Sequence, residues 1–356
     1  MPIQTLAAAD VLHRLHEFDC IIDARSPGEF ALDHLPGAVN WPSLDDAQRV
    51  EVGTLYKQVG SFDAKRLGAA YVAQNAARHL LEQAQDKPKQ WRPLLYCWRG
   101  GNRSGAQATI YSAVGWRVGL IEGGYKAFRA AMVADLPQRV APLKWQVVAG
   151  PTGVGKTHIL HALAEQGQQV LDLEALANHR SSVLGLAPGQ RQPSQKHFEM
   201  RLWQALCALD PSRPVFVESE SKRVGNVTVP EALILAMRAS PVTRIELDLA
   251  ARVRLLMRDY AHFVEAQGLF MERLDTLVAL LGHARINDWK SAIQAGDTER
   301  VVRELLLQHY DPRYFESMAR NFARYDQAST WVVRDEQPEA MAEAARALAA
   351  AQATDA

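Results

Sequence analysis

The stretch Trp145-Gln-Val-Val-Ala-Gly-Pro-Thr-Gly-Val-Gly-Lys-Thr157 decides the second half of the fold. A short, mostly apolar run gives way to a glycine-bearing turn, and a lysine and a threonine then open a helical stretch over 157–164. Gly150–Thr157 matches G-x-x-x-x-G-K-S/T in the strand–turn–helix setting that a phosphate-binding loop requires. The glycines let backbone N–H groups face a phosphate chain, Lys156 adds a cation, and the Thr157 hydroxyl can reach a magnesium ion. Such a loop reads a diphosphate and does not by itself specify ATP. No N-K-x-D base-reading motif follows, which argues against a GTPase.

Moving toward the C-terminus, Gln169–Leu173, Val215–Glu218 and Val242–Leu249 read as further strands, so 145–250 is expected to be an α/β domain. Glu218, at a strand end, fits the acidic residue that supports a metal beside such a loop, and Glu220 is a second candidate. From Ala251 the pattern turns helical, giving a helical extension over 251–335. The Ala- and Glu-rich tail, 336–356, reads as a fraying surface helix.

Moving toward the N-terminus, LPQRVAPLK at 136–144 has two prolines and no periodicity, which suggests a linker over 137–144. Before it, Asp19–Asp23, Arg92–Cys97 and Trp116–Ile121 read as strands and 66–85 as a helix. This alternation predicts a parallel sheet covered by helices over 1–136.

Composition fits two globular domains in 356 residues, with 48% hydrophobic and 22% charged residues. Basic and acidic side chains balance at 40 each. Residues 1–140 hold 16 and 14 of them and the rest 24 and 26, so nucleic acid binding would need a local basic patch. Three widely spaced cysteines exclude a disulfide framework and a Cys-x-x-Cys pair. No apolar run is long enough to cross a membrane, and the first residues lack the pattern of a secretory signal. The simplest reading is a reduced, cytoplasmic protein.

Tyr96-Cys-Trp-Arg-Gly-Gly-Asn-Arg-Ser104 follows one strand and precedes a helix over 106–114. A cysteine there sits where loop N–H groups and a helix N-terminus favour negative charge. Cys97 is the candidate nucleophile, and Arg99 and Arg103 supply fixed positive charge. Cys20 and Cys207 read as ordinary core thiols.

Upstream, Asp23-Ala-Arg-Ser-Pro-Gly-Glu-Phe30 and Asp33-His-Leu-Pro-Gly-Ala-Val-Asn40, taken with the cysteine loop, resemble rhodanese domains. In that pattern Asp23 and His34 are structural. The Cys-x5-Arg-Ser spacing is also that of dual-specificity phosphatases, though Tyr96 stands where tyrosine phosphatases have histidine. Gly-Pro-Thr-x-x-Gly-Lys-Thr likewise resembles the loop of tRNA prenyltransferases, whose ligand is a prenyl diphosphate.

Four more stretches complete the picture: Asp172–Arg180, Gln192–Glu199, Glu218–Gly225 and Gly123–Phe128. With the two loops they make residues 1–330 resemble tRNA 2-selenouridine synthases. The resemblance implies replacement of sulfur by selenium in wobble 2-thiouridine of tRNA, with selenophosphate as donor, through S-geranylation from geranyl diphosphate.

On that reading Gly150, Thr152, Gly153, Gly155, Lys156, Thr157 and Glu218 hold the diphosphate, with Thr157 the candidate magnesium ligand and no tightly bound metal. Cys97, Arg99 and Arg103 serve selenium delivery, Cys97 carrying a perselenide or otherwise assisting. Arg180, Lys196 and Arg223 contact tRNA or diphosphate, within a basic set that includes His179, Arg191, Arg201 and Lys222. Trp98 either stacks on a base or packs beside its loop. The Leu/Met/Phe-rich helices after Ala251 either form a prenyl groove or are core. The rival readings are a phosphatase or sulfurtransferase fused to a P-loop NTPase, a P-loop kinase, and a non-enzymatic tRNA- or nucleotide-binding module.

Overall fold

The computed structural model describes residues 3–179, 191–261 and 266–354, which form two compact units. One unit comprises Met1–Leu136 with Pro193–Gln204, the other Pro137–Gln192 with Ala205–Ala356.

The first unit is built on five parallel strands: β1 (Gln4–Leu6), β2 (Cys20–Asp23), β3 (Ala38–Asn40), β4 (Pro93–Tyr96) and β5 (Gly119–Ile121), in the order β1-β5-β4-β2-β3. The fully buried β4 lies between β5 and β2, as expected of an apolar run covered on both faces. Trp41, Trp91, Tyr111 and Trp116 fill the core on one side through edge-to-face and tilted contacts. Two helices that follow β3, Asp46–Gln58 and Ser61–Gln83, pack on one another. Asp45 caps the first, accepting from Gln48 N while the Gln48 side chain accepts from Asp45 N.

Residues 137–140, read above as linker, complete the helix Gly124–Val140 with Pro137 inside it. The next strand already starts at Lys144. Proline marked a break in the sequence, yet only its own N–H is missing from this last turn, and Ala141 N still donates to Pro137 O.

The second unit carries β6 (Lys144–Ala149), β7 (Gln169–Leu171), β8 (Pro214–Glu218), a small antiparallel pair β9 (Arg223–Val224) and β10 (Val227–Thr228), β11 (Val242–Glu246) and β12 (Ser329–Val332). The main sheet is parallel, in the order β12-β11-β6-β8-β7. β6 lies at its centre and feeds the loop Gly150–Gly155, which opens the helix Lys156–Glu165.

Two expectations for the C-terminal region are corrected. The region read as helical to residue 335 contains β12, an exposed edge strand with too little apolar character to stand out. The tail helix, Pro338–Thr354, is not a fraying surface element. Ala340, Met341, Ala344, Ala345 and Leu348 are buried in one cluster with Ile159, Leu160 and Leu163 of the helix after the loop. The helices between β11 and β12 enclose their own core around Phe270, Leu274, Ile286, Trp289 and Val301.

Candidate functional site

Cys97 leaves β4 at the mouth of a tight loop and is buried at 3% exposure. Gly100 holds φ 64°, and a Cβ there would lie 2.7 Å from Ile121 O, so the close turn requires glycine. Tyr125 N and Lys126 N donate to Cys97 O and Trp98 O at 2.8 and 3.1 Å, tying the loop to the helix that follows Gly123-Gly124. Ser104 Oγ lies 3.1 Å from Cys97 Sγ, in position to donate to the sulfur. Arg99 is exposed. Arg103 is already engaged: Nη1 donates to Glu29 Oε2 at 2.7 Å. Burial pushes the Glu29 carboxyl up, but this bond and the Arg103 charge outweigh it and hold Glu29 below its ordinary value.

Asp23 is structural, as expected. It forms a fully buried pair with Arg25, which also donates to Asp33 O. His34 stacks on Phe30 with its Nδ1 3.0 Å from the Phe30 carbonyl. Tyr125 donates to Asp33 at 2.5 Å, and burial followed by that bond raises the Tyr125 hydroxyl. Trp98 stacks on Tyr125.

Lys196 lies in the helix Gln195–Cys207. Its helix segment groups with the first unit, where its Nζ sits 5.6 Å from the Trp98 ring. Arg201 lies in the same segment. The basic set read from sequence is thus divided: His179, Arg191, Lys222 and Arg223 belong to the second unit. Arg180 lies outside the described residues. Cys207 is exposed rather than core, because the apolar face of its helix ends before it.

In the second unit, a cavity of about 940 Å³ opens at the C-terminal end of β6 and β8. Thr152, Gly153, Gly155, Lys156, Thr157, Glu218, Glu220 and Arg223 all line it, so the structure gathers these sequence candidates in one place. Gly150 lies at the loop's start, where a Cβ would meet Ile245 O at 2.7 Å. Gly153 and Gly155 take φ 83° and 85°, and a side chain at Gly155 would strike Met341 of the tail helix. Lys156 Nζ donates to Gly150 O at 2.9 Å. Arg252, buried at 6% exposure, donates to Thr152 O and pairs with Asp311, clamping the loop to the helical subdomain.

Glu218 is the most deeply buried of the acids named here that line the cavity. It is buried at 2% exposure, its Oε1 has no hydrogen-bond partner, and carboxylate oxygens of Glu174, Glu218 and Glu220 lie within 4.8 Å of one another. Burial, then repulsion from Glu174 and Glu220, drive the Glu218 carboxyl well above its ordinary range, with Lys156 opposing. Three crowded carboxylates with one orphaned oxygen suit a hard divalent cation.

Sequence reasoning missed other residues that line this cavity. Glu174, Arg273 and His309, and the neighbours Arg313 and Tyr314, come from four separate elements that only the fold assembles. His309 lies in a π-helical turn, Leu306–Tyr310, a local irregularity frequent at functional sites. Burial and then Arg313 lower its imidazole below the ordinary value. His158 Nε2 lies 2.8 Å from Asp259 Oδ2, and both line the cavity. The apolar helices after Ala251 turn out to be largely core, but Leu255, Leu256, Met318 and Phe322 face the cavity.

Fold and sites define a two-domain α/β protein that joins a rhodanese-like domain, with its cysteine loop, to a P-loop domain. The rhodanese-like domain model matches residues 7–131, and that of the tRNA 2-selenouridine synthase AAA domain matches residues 143–270. The chain is 40% identical over 244 residues to tRNA 2-selenouridine synthase of Nitrosomonas europaea, covering 67% of this chain and 63% of that protein. It is 32% identical over 329 residues to the Alcanivorax borkumensis protein of that name, covering 84% and 90%. A rhodanese-related protein of Thermoplasma volcanium matches 35% of this chain and 89% of its own, at 18% identity and a TM-score of 0.24. The chain belongs to the tRNA 2-selenouridine synthase family.

Proposed function

We propose that this protein converts wobble 2-thiouridine in tRNA to 2-selenouridine in two steps, one at each loop. The observation that carries the reading is the pairing of a hydrogen-bonded cysteine loop in one domain with a carboxylate- and cation-lined P-loop cavity in the other.

In the first step the thiouridine sulfur attacks C1 of geranyl diphosphate. The C1–O bond breaks, diphosphate leaves, and the base loses its N3 proton. The loop N–H groups, Lys156 and Arg223 hold the leaving diphosphate and neutralise its charge. Glu218, Glu174 and Glu220, with the Thr157 hydroxyl, would hold a magnesium ion, which would supply further charge neutralisation when bound. Asp259 orients His158, and that dyad has the arrangement needed to accept the N3 proton. Leu255, Leu256, Met318 and Phe322 offer the prenyl chain an apolar wall.

In the second step selenium of selenophosphate attacks C2 of the S-geranylated base and geranylthiol departs. Water then cleaves the P–Se bond, releasing phosphate. The Cys97 loop, with Ser104 bonded to the sulfur and Arg99 at the surface, is the site of selenium delivery. The basic side chains His179, Arg191 and Lys222 in one domain and Lys196 and Arg201 in the other contact tRNA phosphates, which makes binding salt-dependent.

The test is mass spectrometry of nucleosides from 2-thiouridine tRNA incubated with the protein. Geranyl diphosphate alone should give geranylated thiouridine, and adding selenophosphate should give selenouridine. Unchanged thiouridine in both reactions overturns the reading.

A further inference from the structure

The helices Asp46–Gln58 and Ser61–Gln83, with the first turn of the helix Asn102–Val114, enclose a groove of about 640 Å³. That is within the roughly 300–1,000 Å³ usual for small-molecule sites. Leu44, Val52 and Val72 make its apolar surface, and Gly68, Ala69 and Ala106 leave it open. Asn102 and Arg103 line it too, so the groove shares a wall with the loop that carries Cys97. Tyr56, which lines the groove, is 61% exposed, and Val59 and Phe62, in the link and at the start of the second helix, are 64% and 73% exposed.

Four cations, Arg49, Lys57, Lys65 and Arg103, also line the groove, and no carboxylate does among the described residues. Glu29 engages Arg103 and Arg49, while Lys57 and Lys65 have no ion-pair partner among the described residues. An apolar trough edged with cations fits an apolar chain carried on a polyanion. It fits neither a plain RNA strand, which has no apolar chain to bury, nor a neutral lipid, which needs no cationic rim.

We propose that this groove holds the geranyl chain of S-geranylated tRNA while the modified base lies at the Cys97 loop. The inference rests on the geranylation reading above and adds a second prenyl site, in the rhodanese-like domain, for the intermediate rather than the free diphosphate. Such a site retains the intermediate after the first step and places its C2 beside the selenium donor.

The experiment uses the full-length chain and chemically made anticodon stem-loop RNA carrying either 2-thiouridine or S-geranyl-2-thiouridine, with binding read by fluorescence anisotropy. Burying a ten-carbon chain should make the geranylated RNA bind on the order of tenfold tighter or more. Ala69→Trp and Ala106→Trp, both at exposed helix positions, should fill the groove and erase that preference without changing the melting temperature or the binding of thiouridine RNA. In the same variants, conversion of geranylated RNA to selenouridine at subsaturating RNA should fall about tenfold, and geranylation of thiouridine RNA should be unchanged. Free geranyl diphosphate should not displace the geranylated RNA at concentrations that support geranylation.

Equal binding of the two RNAs by wild type overturns the proposal, as does a preference that survives both tryptophans. Displacement by geranyl diphosphate alone also overturns it, because the groove would then serve the free donor. Since the RNA is supplied already geranylated, failure of the protein to make geranylthiouridine would sink the proposed function without deciding this test.

Discussion

At the scale of single residues, two side chains carry testable chemistry. Ser104 Oγ lies 3.1 Å from Cys97 Sγ, both buried. An ordinary hydrogen bond contributes about 0.5–1.5 kcal/mol, so Ser104→Ala should slow conversion of geranylated RNA to selenouridine by roughly 2- to 10-fold. Single-turnover kinetics check this, and an unchanged rate would leave Ser104 a packing residue. Glu218 makes a pH prediction with a definite sign. Its carboxyl is raised in the fold by burial and by its acidic neighbours. The stabilisation from such a group is complete below its ordinary value of 4.5 and is lost as pH rises toward the raised folded value. Relative to Glu218→Gln, the melting temperature of the metal-free protein should therefore fall as pH rises above 4.5. The same substitution should remove stabilisation by magnesium, as thermal melts in EDTA and in magnesium will report.

Residue-level legibility followed sequence locality. Both loops were readable because their donors, cations and glycines are contiguous, and each motif had its strand–turn–helix setting around it. Glu174, His309 and Arg313 were not, because each reaches the cavity from a different element. Lys196 follows the P-loop segments in the chain, yet its helix segment groups with the first unit, where it lies beside Trp98.

At the scale of elements, the tail helix Pro338–Thr354 was misread because alanine reads as a surface residue when no long apolar side chains accompany it. Here the alanines are small enough for close packing against the helix Lys156–Glu165, and Met341 reaches Gly155 of the phosphate-binding loop. The helix thus supports the loop's geometry as well as the core. Ala345 is fully buried, so Ala345→Asp would bury an unpaired carboxyl at a cost of about 3–5 kcal/mol. In a domain of this size that lowers the melting midpoint by roughly 10 °C. Scanning calorimetry should place the loss in the P-loop domain, and an unshifted transition would return the tail to the surface. β12 escaped notice because an exposed edge strand needs no apolar run.

At the scale of the whole molecule, the alternation of strands and helices announced two parallel-sheet domains, and the structure has two five-stranded parallel sheets. It could not announce that Pro193–Gln204, which follows the P-loop segments in the chain, groups with the first unit. Long-range grouping of this kind depends on pairings such as Trp203 with Asp135 and Arg129 with Glu199, which no local pattern encodes. Each domain carries its own loop, and in the proposed function the two act in successive steps on one base.

A crossed-substrate measurement separates the two loops' contributions. Lys156→Ala and Cys97→Ala would each be given thiouridine RNA with geranyl diphosphate, and separately geranylated RNA with selenophosphate, with nucleosides read by mass spectrometry. Lys156→Ala should fail on the first substrate and convert the second, while Cys97→Ala should geranylate the first and fail on the second. Loss of both steps in both variants, or selenouridine from Cys97→Ala at the wild-type rate, would contradict this division of labour.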